Sequence, residues 1–313
     1  MREIAVFSGS AHPGLAAEIC THLGVELHPV RTRRFANDCL EVQLRANCRE
    51  RDVFLVQPVI APVQENLVEL LLMLDAARGA SAARTTVVLP HYAYARSDKK
   101  DAPRISIAGR LVADLMVTAG AGRVLAMALH SPQVHGFFSV PVDHLHALRE
   151  LARHFARYDL SATTVVSPDL GYAKPASHFA RLLGVPVAAG AKERFDDRVT
   201  ISSVIGDVAG RDVIVLDDEI AKGSTVLELL DRLREIGVGS IRVACTHGLF
   251  AAGALERIAG QPDVAEIVCT NTVPVRPEAP EPKLTVLSIA PALAEAMRRI
   301  HNGESVSALF DAR

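Results

Sequence analysis

Tryptophan is absent from this 313-residue sequence, and aromatic residues make up only 4% of it. Few side chains are therefore available as stacking platforms for single-stranded nucleic acid. The formal net charge of −2 also provides no general attraction to nucleic acid or to anionic lipid. We expect neither nucleic acid nor a membrane surface as a partner, and we expect any important charges to act locally.

Long hydrophobic runs are also missing. No apolar stretch reaches the roughly 18 residues of a membrane-spanning helix, and the segment Met1–Phe7 is typical of a strand rather than of a signal peptide. Cysteines are few, scattered and odd in number, with no Cys-x-x-Cys pair: Cys20, Cys39, Cys48, Cys245 and Cys269. We therefore expect neither a disulfide framework nor a structural zinc site, and a reducing cytoplasm fits.

Two common nucleotide-binding motifs are missing as well. The sequence contains no Gly-x-x-x-x-Gly-Lys-Ser/Thr, so any ATP would be bound without a P-loop. Gly120 and Gly122 lack the third glycine of a dinucleotide fingerprint, and they follow a predicted helix rather than a strand. An NAD-binding Rossmann site is therefore disfavoured.

Strand-like and helix-like segments alternate along the chain, which favours an α/β fold of mainly parallel sheets flanked by helices. The predicted strands are Val53–Val56, Thr85–Leu89, Val124–Leu129, Thr163–Val166, Asp212–Leu216, Ile241–Cys245 and Leu284–Leu287. The predicted helices are Gln64–Arg78, Ile107–Ala119, Ala176–Leu183 and Ser224–Ile236, with Pro13 near the start of an earlier one. The length favours two domains. A faint repeat supports them, because a helix, a glycine and a strand precede both His130 and His247.

The most informative segment is Asp217–Thr225, which follows the apolar run Asp212–Leu216 and precedes a predicted helix. Ligands of open α/β sheets bind at the carboxyl ends of the strands. Neighbouring carboxylates suit ribose hydroxyls or a hydrated divalent cation, and a Gly-Ser-Thr turn at a helix start suits a phosphate. The segment predicts a phosphorylated-sugar site, although loop polarity and an ordinary N-cap use the same residues.

Other reactive side chains form further clusters, most of which directly follow a predicted strand. Four cations within nine residues, in the segment 96–104, lie beside two tyrosines and suit a nucleoside triphosphate. His130 and Asp169 are candidate metal ligands, and Lys192 and Arg194 are suited to stabilise charge on a transferred phosphoryl group. Solvated loop charges and a capping histidine are the alternative interpretation of each cluster. Taken together, the clusters predict phosphoryl transfer on a sugar phosphate.

A set of short motifs extends along nearly the whole chain: Phe54–Gln57, Tyr94–Arg96, Asp98–Asp101, His130, Gly136–Phe138, Pro141–Asp143, Ser167–Asp169, Lys192–Arg194, Gly206–Val208, Thr246–Phe250, Thr270–Thr272 and His301–Ser307. In these motifs the sequence resembles the phosphoribosyl pyrophosphate synthetases, or ribose-phosphate diphosphokinases. The last motif is especially specific to that family.

The resemblance implies two phosphoribosyltransferase-type domains, 1–145 and 146–295, with the tail 296–313 packed back on the first. It implies transfer of the β,γ-diphosphoryl group of ATP to the anomeric hydroxyl of ribose 5-phosphate, with Mg²⁺ as cofactor and AMP as the second product. Such transfer relies on positioning and charge neutralisation. The resemblance also implies a homo-oligomer built from dimers, up to hexamers, with phosphate and ADP as effectors.

The resemblance assigns roles to individual residues as well. The catalytic positions are Lys192 and Arg194, and the metal-binding positions are His130 and Asp169. The ATP-binding positions are Asn37, Asp38, Cys39, Arg96, Ser97, Lys99 and Lys100. The ribose 5-phosphate-binding positions are Asp217, Asp218, Ala221, Lys222, Gly223, Ser224 and Thr225. The regulatory positions are Arg49, Arg104, Ser305 and Ser307.

Several positions depart from the family pattern. The loop that usually reads Phe-Ser-Asp-Gly-Glu is Phe35–Cys39 here, and both of its acidic positions are changed. Ser97 replaces the usual glutamine, Tyr172 replaces a glycine, and Ala221-Lys222 replaces Asp-Thr. The altered ATP loop and the retained tail leave open a non-catalytic paralogue that co-assembles with an active synthetase. The Asp217–Thr225 loop also leaves open a phosphoribosyltransferase acting on a base or amine.

Overall fold

The computed structural model describes residues 3–195, 198–275, 281–307 and 309, and for 193–195, 198 and 199 it describes the backbone only. The chain divides into two compact units. The first comprises Met1–His146, Thr272–Pro274 and Ser288–Arg313, and the second comprises Ala147–Asn271 and Val275–Leu287. The sequence-based domain limits at 145 and 295 stay predictions.

The first unit is built on a parallel sheet with the strand order β2-β1-β5-β6-β7-β8. These strands are β1 Ile4–Ser8, β2 Leu27–His28, β5 Asp52–Val56, β6 Arg84–Leu89, β7 Arg123–Met127 and β8 Val142–Leu145. An antiparallel hairpin of β3 Val30–Arg34 and β4 Leu40–Leu44 stands apart from that sheet. The helices are α1 Pro13–Leu23, α2 Val63–Gly79, α3 Ala108–Ala119 and α8 Ala290–Asn302.

The second unit contains a seven-stranded sheet with the order β11-β10-β9-β12-β13-β14-β15, in which only the β10–β11 pair is antiparallel. The strands are β9 Thr163–Ser167, β10 Val187–Phe195, β11 Arg198–Ile205, β12 Asp212–Ile220, β13 Ile241–Gly248, β14 Val264–Thr270 and β15 Leu284–Leu287. The helices are α4 Leu148–Phe155, α5 Ala173–Leu183, α6 Ser224–Ile236 and α7 Ala254–Ala259.

The central strands are buried on both faces, as helices on both sides of a parallel sheet require. All five residues of β5 and of β9 are buried. Helix ends follow the local sequence. Pro13 occupies the first turn of α1, where a missing N–H costs no hydrogen bond. Gly24 ends that helix with a φ of 69°, which a glycine adopts without steric cost.

The predicted α/β class is confirmed, and every predicted strand and helix has a counterpart in the structure. The observed ends of two strands, β12 and β13, differ from the predicted ends in a way that affects the site. β12 continues past Leu216 to Ile220, because its pairing with β13 extends to Gly248. His247 therefore lies inside β13 and is buried, whereas His130 lies beyond β7 and is exposed, so the two halves of the apparent repeat are not equivalent. Within the described ranges, none of the helices has the length and apolarity to cross a bilayer.

Candidate active site

Two neighbouring carboxylates lie at the carboxyl end of β12, in the second unit. Asp217 is half-buried and pairs with Cys245 of β13, and Asp218 is buried. The backbone N–H of Asp218 donates to Asp217 Oδ1 at 2.9 Å. The sequence placed both acids in a loop after the strand, but the strand pairing holds their backbone. Strand pairing therefore fixes the backbone positions of both acids.

The charge of Asp217 is unfavourable in its surroundings. Burial, followed by the negative charge of Asp218 and a smaller contribution from Asp169, raises the pKa of Asp217 well above its usual value. A cation or a set of hydroxyl donors between these carboxylates would relieve that repulsion. The electrostatics therefore favour a ligand that brings positive charge or hydrogen-bond donors.

Asp169 and Lys192 form an ion pair beside these acids. Asp169 begins a short 3₁₀ turn after β9, and its Oδ1 accepts from the backbone N–H of Tyr172 at 3.2 Å. Lys192 Nζ lies 3.5 Å from Asp169 Oδ2. Both residues line an open cavity of about 410 Å³ together with Leu170 and Gly171. A cation from within β10 and a carboxylate just after the end of the neighbouring β9 therefore face the same open space.

Tyr172 is a site neighbour that the sequence reasoning noted only as a departure from the family pattern. Burial, and then the charges of Asp218 and Asp217, raise the pKa of the Tyr172 phenol well above its usual value. The phenol is therefore neutral and close enough to feel both carboxylates. The only signal in the sequence was its position three residues after Asp169.

The turn after β12 is shaped for an anion. Gly223 has a φ of 71°, and a Cβ there would come within 3.2 Å of both Ala254 and Ile258 of α7. Only glycine combines this left-handed conformation with so close an approach. A left-handed residue followed directly by α6 gathers successive N–H groups at a positive helix end. Ala221 and Thr225 are half-buried, whereas Lys222 and Ser224 are exposed.

The cationic segment of the first unit begins in a 3₁₀ turn, Ala93–Arg96, after β6. Arg96, Lys99 and Lys100 are exposed. The Ser97 hydroxyl oxygen accepts from Ala108 N at 3.0 Å, at the start of α3. Ser97 was predicted to bind ATP, and in the structure its hydroxyl is already engaged in this contact.

The histidine loop after β7 is joined to that cationic segment. Ser131 Oγ donates to Asp98 Oδ2 at 2.6 Å, which ties the residue next to His130 to the segment 96–104. Leu129 N donates to His144 Nε2 at 2.8 Å, so the loop is also anchored to β8. His130 itself is exposed. The structure thus brings Arg96 and His130 into one loop cluster of the first unit.

The predicted ATP loop forms the tip of the β3–β4 hairpin. Asn37, Asp38 and Cys39 are all exposed. Arg34 Nη1 contacts Asp38 Oδ1 at 2.5 Å, and Asn37 Oδ1 accepts from Cys39 N at 3.3 Å. These contacts hold the turn but leave its side chains open to solvent, as a loop that meets a ligand from outside would be.

The predicted regulatory residues are exposed, and all four belong to the first unit. Ser307 N donates to Ser305 Oγ at 3.2 Å, and Arg49 forms an isolated bridge with Ala82. Within the described ranges, no hydrogen bond joins Arg49 or Arg104 to either serine.

The described site residues therefore fall into two groups. Asp169, Lys192, Asp217, Asp218 and the turn 221–225 are brought together in the second unit. Arg96, His130 and the hairpin tip belong to the first unit. Arg194 has its backbone in β10 opposite Val199, and its side chain lies outside the described part of the chain.

Two domain families and many full-length relatives match this chain. The domain family described as the N-terminal domain of ribose phosphate pyrophosphokinase matches residues 4–120, and the phosphoribosyl synthetase-associated domain matches 197–311. A Streptomyces coelicolor relative with a provisional ribose-phosphate pyrophosphokinase name is 80% identical, covering 100% of this chain and 99% of the relative. The ribose-phosphate pyrophosphokinase of Deinococcus radiodurans is 49% identical, covering 98% of each.

A solved structure shows the same fold over nearly the full length. The phosphoribosylpyrophosphate synthetase of Mycobacterium smegmatis superposes with a TM-score of 0.90 at 39% identity, covering 96% of this chain and 100% of that one. Neighbouring carboxylates beside an anion-binding turn are typical of α/β enzymes that act on phosphorylated sugars. The chain belongs to the ribose-phosphate pyrophosphokinase family. The names of the full-length relatives favour the enzyme over a non-catalytic paralogue or a phosphoribosyltransferase.

Proposed function

We propose that this protein transfers the β,γ-diphosphoryl group of Mg-ATP to the C1 hydroxyl of ribose 5-phosphate, giving phosphoribosyl pyrophosphate and AMP. The observation that carries the proposal is the grouping of Asp217, Asp218, Lys192 and Asp169 beside the anion-binding turn of α6. Each half of a phosphorylated sugar has a complementary group there: carboxylates for its hydroxyls, and backbone N–H groups for its phosphate.

The site residues are proposed to bind different parts of the substrates according to their charge. Asp217 and Asp218 accept hydrogen bonds from the ribose hydroxyls, and the turn 221–225 holds the 5-phosphate. Lys192 is suited to the transferred diphosphoryl group, because it lines an open cavity and its ammonium lies 3.5 Å from the Asp169 carboxylate. Phosphoryl transfer needs little covalent work from the protein, so fixed charges account for most of the catalysis.

Magnesium fits this site. The mutual repulsion that raises the pKa of Asp217 is what a divalent cation would relieve, and oxygen ligands are those that Mg²⁺ prefers. No group of three potential protein ligands occurs within the described residues. Mg²⁺ would accordingly be held by few protein groups, together with substrate phosphates and water. Asp169 is the proposed ligand in the second unit, and His130 is a separate proposed ligand in the first. Bound there, it would neutralise charge on the ATP phosphates.

The exposed loops of the first unit complete the proposal. The hairpin tip 37–39 and the cations Arg96, Lys99 and Lys100 are proposed to bind ATP. Phosphate and ADP are proposed effectors near Arg49, Arg104, Ser305 and Ser307. We further propose a homo-oligomer in the cytoplasm, a compartment that suits the free thiols of all five cysteines.

The direct test is AMP formation by the purified protein. We expect AMP to appear only when ribose 5-phosphate and Mg²⁺ are both present with ATP, and to stop when EDTA is added. AMP release that does not depend on ribose 5-phosphate would contradict the proposal. So would consumption of phosphoribosyl pyrophosphate with a base as the acceptor.

Replacing Lys192 by alanine separates catalysis from folding. Lys192 contacts Asp169 weakly at 3.5 Å, but its side chain is only 18% exposed, so its loss should lower the melting temperature by a few degrees while the protein stays folded. Loss of a preorganised charge at the transition state typically costs about 10²–10³-fold in kcat. We expect that loss in Lys192→Ala. Arg153→Ala, which removes an exposed cation of α4 paired with Glu150 at 3.6 Å, is the control and should keep full activity.

A further inference from the structure

The turn that follows β12 is held from one side by the segment 250–257. The backbone N–H of Phe250 donates to Ile220 O at 3.0 Å, and the backbone N–H of Ala251 donates to Ala221 O at 2.9 Å. Two successive carbonyls, that of the last residue of β12 and that of the first residue of the turn, therefore face this segment. Both bonds are made by backbone, so substitution of side chains does not remove them.

The third carbonyl is held by a side chain. Arg257, on α7, donates through Nη2 to Lys222 O at 2.6 Å, and its Nε lies 3.3 Å from Gly253 O. The planar guanidinium thus connects the start of its own helix with the middle of the turn. A forked donor suits two carbonyls in fixed positions better than an ammonium does.

These bonds determine where the N–H groups of the turn point. In a trans peptide the C=O and the next N–H point in opposite directions. When the carbonyls of residues 220–222 face the segment 250–257, the N–H groups of Ala221, Lys222 and Gly223 face away from it. The αL conformation of Gly223 then joins these N–H groups to the start of α6, which forms an anion-binding concavity.

The supporting segment is itself held in an uncommon conformation. Phe250 and Ala252 have φ values of 44° and 55°, in the left-handed region that side chains other than glycine rarely adopt. Such backbone persists only when its surroundings hold it, and it concentrates at functional sites. Arg257 is exposed, so it adds little to the hydrophobic core. Hydrogen bonds, rather than hydrophobic packing, therefore hold the Arg257 side chain in its position.

We propose that Arg257 is a positioning residue for the 5-phosphate of the sugar substrate. It acts through the backbone of the turn: by fixing Lys222 O it keeps the Gly223 N–H directed at the phosphate. Arg257 does not touch the phosphate, and the exposed Lys222 side chain is a separate source of positive charge. The inference rests on the proposed function, because it assumes that this turn binds ribose 5-phosphate.

The test is isothermal titration of ribose 5-phosphate, and separately of Mg-ATP, into the wild type, Arg257→Ala and Arg257→Lys. Loss of one charge-assisted hydrogen bond at an exposed site should weaken ribose 5-phosphate binding by roughly fivefold in Arg257→Ala. Mg-ATP binding should not change. Arg257→Lys keeps the charge but not the fork, so its binding should remain weakened.

Hydrogen exchange gives a readout that needs no ligand. The amides of the turn 221–225 should exchange faster in Arg257→Ala than in the wild type, whereas Arg153→Ala should match the wild type in exchange and in binding. Wild-type affinity for ribose 5-phosphate in Arg257→Lys would show that charge alone suffices and would overturn the inference. Unchanged exchange in Arg257→Ala, or equal weakening of both ligands, would overturn it as well.

The two proposals fail in different ways. If the wild type binds no ribose 5-phosphate, the proposed function is wrong and Arg257 has no phosphate to position. If the wild type binds it and Arg257→Ala binds equally well, the proposed function stands and only the role of Arg257 is wrong.

Discussion

The Asp217 carboxylate of the proposed sugar site carries a charge that reduces the stability of the folded chain. Burial and the neighbouring acids raise its pKa well above the usual value in the folded chain. Between the usual value and the raised one, the folded state binds more protons than the unfolded state. The free energy of unfolding therefore falls as the pH rises through that window. A bound cation or sugar would offset this loss, so the unfavourable charge is a sign of function.

Asp217→Asn should be more stable than the wild type at neutral pH and should lose ribose 5-phosphate binding. The asparagine cannot ionise, so we expect the difference in melting temperature to be absent near pH 4 and to grow as the pH rises. A gain of about 1 kcal/mol corresponds to a rise of about 2–4 °C for a domain of roughly 150–250 residues. Thermal melts across pH 4–8, without ligand, measure it.

A surface carboxylate provides the control for that series. Asp231→Asn removes a charge of α6 that is 66% exposed and paired with Arg234, so it should stay within about 0.5 kcal/mol of the wild type. If Asp217→Asn instead lost stability at pH 7, the carboxylate would be a structural group rather than a strained binding group. Added Mg²⁺ with ribose 5-phosphate should stabilise the wild type and not Asp217→Asn.

Local sequence identified some of these residues and not others. Asp217 could be predicted because it follows an apolar run that had to be a buried strand, and Lys192 because it lies in a basic cluster with Arg194 that matches a family motif. Arg257 could not, because its partner Lys222 lies 35 positions away and the contact is to a backbone oxygen. Tyr172 could be noted in the sequence only as a departure from the family pattern. Its proximity to the carboxylates could not be predicted, because that depends on how the 3₁₀ turn is folded.

The strands and helices were easier to predict than their limits. Strands buried on both faces, such as β5 and β9, appear in the sequence as short apolar β-branched runs. The extension of β12 through Asp217, Asp218 and Glu219 could not be read from polarity. Pairing with β13 over those positions determines it, and pairing between strands 20 or more residues apart leaves no local signal. The roles of the individual site residues stay predictions.

The β3–β4 hairpin should contribute to ATP binding without contributing much to stability. Asn37 lies at its exposed tip, where its Oδ1 accepts from Cys39 N at 3.3 Å. We expect Asn37→Ala to raise KM for ATP by about three- to tenfold, the effect of one or two lost hydrogen bonds. KM for ribose 5-phosphate and the melting temperature should change little. Steady-state kinetics with each substrate varied in turn measures the split.

Gln43→Ala is the matched control, because Gln43 is an exposed residue of β4 in the same hairpin but away from the tip. It should leave both KM values unchanged. Equal rises in the two KM values for Asn37→Ala would indicate a general defect of the enzyme. Unchanged KM values for Asn37→Ala would show that the hairpin tip is not part of the ATP site.

The first unit contains segments from both early and late in the sequence. α8 lies almost 300 residues after β1 but belongs to the first unit, and its residues Leu293, Met297 and Ile300 are buried. The connection is partly electrostatic. Asp52, fully buried at the start of β5, is paired with Arg84 and accepts from His301 Nδ1 at 2.9 Å. Arg84 also donates to the carbonyl oxygen of His301 at 3.0 Å.

Removing Asp52 should therefore loosen the end of the chain as well as lower stability. Breaking a buried pair costs about 3–5 kcal/mol, and the partial exposure of Arg84 reduces our expectation for Asp52→Ala to about 2–3 kcal/mol. Hydrogen exchange should rise most at the end of α8, in residues 298–302. Asp75→Ala, which breaks an exposed pair with Arg78, should cost less than about 0.5 kcal/mol and leave α8 protected. A destabilised Asp52→Ala whose α8 exchanges like the wild type would contradict an electrostatic anchor for this helix.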